Sequence, residues 1–126
     1  MAGAAYARRI APMYIDLNRT FYAKSKKYPA LEKGARFAEV NEWEKAIQSW
    51  QGGLSLPGDD KTYGKICYNI SLGYEVLGDL MLAKDWAARA YTKYGFKAGR
   101  TYAKELEQRM MEDELLKEQL STTSDQ

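Results

Sequence analysis

The chain has 126 residues, with 19 basic against 17 acidic side chains and a formal net charge of +2; a balance so near neutrality does not call for a nucleic acid or an anionic membrane as partner. Histidine is absent and cysteine occurs once, as Cys67, which excludes Ser-His and Cys-His nucleophilic pairs, histidine general bases, internal disulfides and thiolate metal clusters. No apolar run approaches the ~18 residues of a membrane span, and in MAGAAYARRIAP the short apolar stretch precedes its arginines, the reverse of a signal-peptide order.

Val and Ile are sparse, alternating runs are missing, and Ala, Leu, Glu, Lys and Tyr dominate, so the expected class is all-α. Residues 1–11 read as a flexible lead-in. Pro12 suits a first helical turn, and Tyr14, Leu17 and Phe21 follow at helical spacing, which predicts a lead-in helix. A second helix is expected from Pro29 to Val40 with Leu31, Phe37 and Ala38 inward, then a turn at Asn41, a residue that tolerates left-handed backbone. The returning helix, Glu42 to Leu54, carries Trp43, Ala46, Ile47 and Trp50 on one face. Pro57 and Gly58 break it, and Asp59 or Asp60 caps the next helix, Lys61 to Leu77, with Tyr68 (or Cys67), Ile70, Tyr74 and Leu77 inward. Gly78 turns the chain, Asp79 caps a helix to Tyr94 that buries Leu80, Ala83, Trp86 or Ala87, and Ala90, and Gly95 ends it. A last helix, Lys97 to Leu120, has Tyr102, Leu106, Met110 and Leu115 or Leu116 on its inner face and charge elsewhere, as a terminal cap requires. The polar tail STTSDQ is expected to be disordered.

The middle of the chain repeats itself. Phe37 falls on Tyr74, Asn41 on Gly78, Trp43 on Leu80, Ala46 on Ala83 and Gly53 on Ala90, each at an offset of 37 residues. The segments Gly34–Phe37–Asn41–Trp43–Ala46–Trp50–Leu54–Pro57 and Asn69–Ile70–Tyr74–Gly78–Asp79–Leu80–Ala83–Ala90 resemble the tetratricopeptide (TPR) repeat family, whose helix pairs recur every ~34 residues. The resemblance covers roughly residues 28–97, with Gly53 at a usual alanine, Pro57 one place early and Ala87 at a usual aromatic. It implies a TPR-like α-α superhelix of about six helices: the lead-in helix, two pairs (residues 28–60 and 61–97) and the cap. The wider string YARRIAP…NRTFY…WEKAIQSW…YNISLGYEVLGDLMLAKDWA resembles the C-terminal helical part of a group of uncharacterised Bacteroidetes cell-envelope lipoproteins. That second likeness implies a piece of a longer chain, in the periplasm or cell envelope; without it the protein reads as cytoplasmic.

TPR arrays hold peptides in a concave groove lined by the first helix of each pair. The resemblance places the groove at Leu31, Glu32, Ala35, Ala38 and Glu39, then Lys65, Tyr68, Asn69, Leu72, Glu75 and Val76. Asn69 is the informative one, because a carboxamide donates and accepts at once and so matches a peptide backbone. The alternative is that Asn69 ties its helix to a neighbour. A lysine–asparagine carboxylate clamp is incomplete, since Leu31 and Ala35 stand where the first repeat would supply it.

Other candidates have bland readings. Arg8, Arg9, Arg19, Lys24, Lys26 and Lys27 with interleaved Tyr6, Tyr14, Tyr22 and Tyr28 have the composition of a single-stranded nucleic-acid binder. They are also balanced by acids between Glu105 and Glu118, and nucleic acid is the weaker reading. Glu39, Glu42 and Glu44, and Glu112, Asp113 and Glu114, have no helper residue or phosphate loop beside them and read as solvated faces, and Cys67 as a small buried hydrophobe. The expected function is therefore non-catalytic, without cofactor or metal: a scaffold or protein-interaction module that binds a peptide or protein. The alternative is a structural helical appendage to another domain of a longer envelope protein. A third reading gives any chemistry to such a domain and leaves this part to position it. An interaction module should leave Tyr68, Leu72 and Val76 accessible, an appendage should show an apolar patch near Tyr6, Ile10 and Tyr14, and an enzyme should converge acids in a closed pocket.

Overall fold

A computed structural model describes residues 21–23 and 28–124. Among them the protein is all-helical and without strands: α1 (Pro29–Glu39), α2 (Trp43–Gly53), α3 (Asp60–Leu77), α4 (Leu80–Thr92) and α5 (Lys97–Ser124). Each helix packs on the next in sequence, and α3 also touches α5. The expected lead-in segment and most of the helix from Pro12, with Tyr6, Ile10, Tyr14, Leu17 and the basic residues Arg8, Arg9, Arg19, Lys24, Lys26 and Lys27, lie outside the described residues. Phe21–Ala23 are described and are not helical.

The sequence repeat is visible in the main-chain hydrogen bonds. At the end of α1, Asn41 N–H donates to Ala38 O (3.0 Å) and Glu42 N–H to Phe37 O (2.9 Å); at the end of α3, Gly78 N–H donates to Glu75 O (3.0 Å) and Asp79 N–H to Tyr74 O (2.9 Å). Such bonds satisfy the last carbonyls of a helix while a left-handed residue reverses the chain. Asn41 (φ 64°) and Gly78 (φ 91°) are those residues, and Gly95 (φ 70°) does the same after α4. Short connections between packed helices fold α2 back on α1 and α4 back on α3. Helix starts follow the same local chemistry. Pro29 opens α1, Asp59 accepts from Thr62 N–H at the start of α3, and Asp79 accepts from Leu82 N–H at the start of α4.

Two apolar clusters result. The first joins Leu31 and Ala38 of α1, Trp43, Ala46, Ile47 and Trp50 of α2, and Ile66 and Ile70 of α3. A Cβ on Gly34 would lie 2.1 Å from the Trp50 indole, so the absence of a side chain on α1 makes room for the largest buried residue. The second cluster joins Ala83 and Ala87 of α4 to Tyr102 and Leu106 of α5. Cys67 is fully buried, and desolvation pushes its thiol up to about 11 against the opposing charges of Arg89 and Lys93.

Some inward assignments are corrected. Leu77 is 46% exposed, because it ends α3 at the Gly78 turn. Leu115 and Leu116 are 59% and 55% exposed. The reason is length: α5 has 28 residues against 13 in α4, about 42 Å against about 20 Å at 1.5 Å per residue, so its second half outruns the helix it covers. The same helix continues through Ser124, four residues into the expected tail.

Candidate peptide groove

The face expected to line a groove is already in use. Asn69, midway along α3, has no solvent exposure, and its carboxamide faces the non-helical residues Phe21–Ala23. Tyr22 N–H donates to Asn69 Oδ1 (2.8 Å) and Asn69 Nδ2 donates to Tyr22 O (2.8 Å). Both main-chain groups of one residue are thus met by one side chain, as a neighbouring β-strand would meet them. A buried carboxamide stripped of such partners costs about 1–3 kcal/mol, so the arrangement demands a backbone at this place.

The rings beside that clamp go to different slots. Phe21 stands edge-on to Trp43 (centroids 6.0 Å, 89°) and tilted to Trp50 (6.1 Å, 53°), against the first cluster. Tyr22 meets Tyr68 (5.5 Å, 71°) and Phe96 (5.6 Å, 76°), both near edge-to-face, with the Lys65 ammonium 5.4 Å from its ring centroid. The two neighbouring rings thus reach both helix pairs, Phe21 against α2 and Tyr22 against Tyr68 of α3. Each such ring pair adds about 0.5–1.5 kcal/mol beyond its buried area. Burial also raises the Tyr22 phenol above its ordinary range.

Of the residues assigned to the groove from sequence, Lys65, Tyr68 and Asn69 gather around Tyr22. The others go elsewhere. Leu31, Ala35, Ala38 and Leu72 are core, and Val76 packs against the first cluster. Glu32 is exposed and pairs with Arg36 (3.2 Å), and Glu39 is exposed at the end of α1. Glu75 is buried two turns along α3 from Tyr68, where it accepts from the Tyr102 hydroxyl and the Arg109 guanidinium of α5. It is a bridge between helices, and a buried carboxylate is tolerable there because both oxygens are met.

Phe96 and Tyr22 belong to the site and were not assigned to it. No local signal marks Tyr22, since its partners Tyr68 and Phe96 lie far along the chain. Elsewhere, an open depression of about 610 Å³ between α1 and α2 is lined by Lys33, Gln48, Gly52 and Leu56 among others. Among the described residues no group of three His, Cys, Asp or Glu side chains has metal-site geometry, and no helix is long and apolar enough to cross a membrane.

Residues 32–115 match the family described as "Domain of unknown function (DUF6340)". The chain belongs to that family. No curated protein and no solved structure matches it. The DUF6340 match takes in Lys65, Tyr68, Asn69 and Phe96, as well as both tryptophans of the Phe21 slot.

Proposed function

We propose that the protein is a non-catalytic interaction module of TPR-like architecture, whose groove along α3 holds an extended peptide by its main chain. The observation that carries this reading is the pair of 2.8 Å hydrogen bonds between Asn69 and the backbone of Tyr22. A side chain that meets both groups of a peptide unit recognises backbone whatever its sequence, and the ring slots on either side add selectivity. The 37-residue repetition of the turn hydrogen bonds supports the TPR-like reading of the two helix pairs.

The test uses the full chain with Phe21→Ala and Tyr22→Ala, its folding checked by circular dichroism, against an array of diverse peptides. Peptides that bind should lose at least tenfold in affinity when Asn69→Ala is added. An array without binders, or with binders indifferent to Asn69, supports a second reading: a structural appendage that fixes the chain leading into it. The filling of the groove by the protein's own residues favours that alternative.

A further inference from the structure

The segment in the groove is a worked example of what the groove accepts. We propose that the site selects an extended peptide with two adjacent aromatic residues, supplied by a partner protein, and that Phe21-Tyr22 is the intramolecular competitor that such a peptide displaces. The proposal rests on the groove reading above and adds the chemistry of the ligand.

The two contributions separate cleanly. The Asn69 clamp addresses only N–H and C=O groups of one residue, so it would hold any extended chain in this register. Discrimination therefore falls to the slots. The first is walled by the Trp43 and Trp50 indoles, and the second by the Tyr68 and Phe96 rings, with the Lys65 ammonium over the Tyr22 ring that they hold. Aromatic walls approached by ring edges, with a cation over the second ring, favour flat π-systems over branched aliphatic side chains of similar size. Opposite projection of the rings fixes their spacing: the aromatics must be consecutive in an extended chain. Emptying the clamp would leave a carboxamide without partners, whereas exchanging one backbone for another preserves both bonds. Displacement by a like segment is therefore the low-cost way to open this groove, and a tethered segment lowers the apparent affinity of any outside peptide.

The experiment measures fluorescence anisotropy of a labelled peptide with the sequence of residues 18–24, NRTFYAK, titrated with the full chain. The Phe21→Ala/Tyr22→Ala variant should bind it at least tenfold more tightly than wild type. Replacing both aromatics of the peptide with leucine should weaken binding to that variant at least fivefold, and replacing both with alanine at least tenfold. If the double variant fails to fold by circular dichroism, Tyr22→Ala alone carries the same comparison, since its ring is only partly buried. Equal binding by wild type and the folded variant removes the competitor role. Equal binding of the leucine and aromatic peptides removes the selectivity while leaving a general peptide groove. Failure of every peptide on a folded variant removes both. A wild-type dimer on gel filtration that the variant loses would assign the slot to a second copy of this chain and overturn the outside partner.

Discussion

The two helix pairs share a backbone plan and solve their packing in opposite ways. In the first, α2 carries Trp43, Ile47 and Trp50 inward, and α1 gives way at Gly34. In the second, the inward residues of α4 are Ala83, Ala87 and Ala90, and Trp50 of the first copy corresponds to Ala87 of the second. Volume fills the first pair, and close approach of backbones closes the second. Each pair is then covered by the next helix in sequence, α2 by α3 and α4 by α5. The last helix, α5, packs on this small-residue face of α4 so closely that a Cβ on its Gly99 would lie 2.5 Å from Ala87 O and 2.8 Å from Ala90 Cβ. A tryptophan at position 87 would hold α5 away, whereas α3 accommodates the large residues of α2 through its own glycine: a Cβ on Gly73 would lie 2.7 Å from Ile47 Cγ1.

The largest break in this comparison is Trp50→Ala. Its indole is fully buried and its Nε1–H reaches Leu31 O (3.4 Å), and truncation should cost about 3–5 kcal/mol, read as a lower urea midpoint at unchanged slope. The mirror experiment is Gly99→Ala. The obstructing atom is a carbonyl of α4 and cannot rotate away, so α5 must shift, at a cost of roughly 1–3 kcal/mol. The fluorescence of Trp43 and Trp50 should be unaltered in that variant, since the first pair is not in its path.

The second pair alone carries a fully buried thiol. Cys67 keeps its proton to about 11 in the folded protein against an ordinary value of 9.0. Native protein thus binds more protons than unfolded chain between those values, and stability falls as pH rises through that window, being complete below it. The loss should be roughly 2–3 kcal/mol. Because tyrosines and lysines titrate nearby in pH, the quantity to measure is the stability difference between wild type and Cys67→Ala, which should move against wild type by that amount from pH 8.5 to 11.

What the sequence made legible follows the same divide between local and long-range causes. The reversals at Asn41, Gly78 and Gly95, the opening at Pro29 and the caps at Asp59 and Asp79 depend on a residue's own backbone and its next few neighbours, and they could be read directly. Ile66 was missed because α3 packs against α2, α4 and α5 and so has no single apolar stripe to phase. Leu115 and Leu116 continue a helical spacing past the point where a partner helix exists, and spacing does not record where the neighbour ends. Glu75 has a groove register, but its partners, Tyr102 and Arg109, lie far along the chain. Asn69 stood out as an amide matched to main chain. That the main chain is Tyr22 depends on a contact between residues 47 apart in sequence, which no local pattern encodes.

The smallest effects sharpen the comparison best, because the pairs differ by one methylene at matched positions. Glu42 (φ −98°, ψ 66°) and Asp79 (φ −96°, ψ 84°) precede α2 and α4 with nearly the same backbone. Asp79 accepts from Leu82 N–H at 3.1 Å, whereas the longer Glu42 makes no such cap and reaches Lys45 instead (2.9 Å). Asp79→Ala should therefore cost about 1 kcal/mol, and Glu42→Ala, which removes only an exposed ion pair, about 0–0.5 kcal/mol. Glu42→Asp should go the other way. The shorter carboxylate reaches Lys45 N–H, the donor in the register of Leu82, and supplies the first pair with the cap of the second, a gain of about 0.5–1 kcal/mol. Chemical denaturation of the three variants in parallel decides it. A neutral or destabilising Glu42→Asp would mean that the turns at Asn41 and Gly78 present their helix starts differently, despite matching hydrogen bonds.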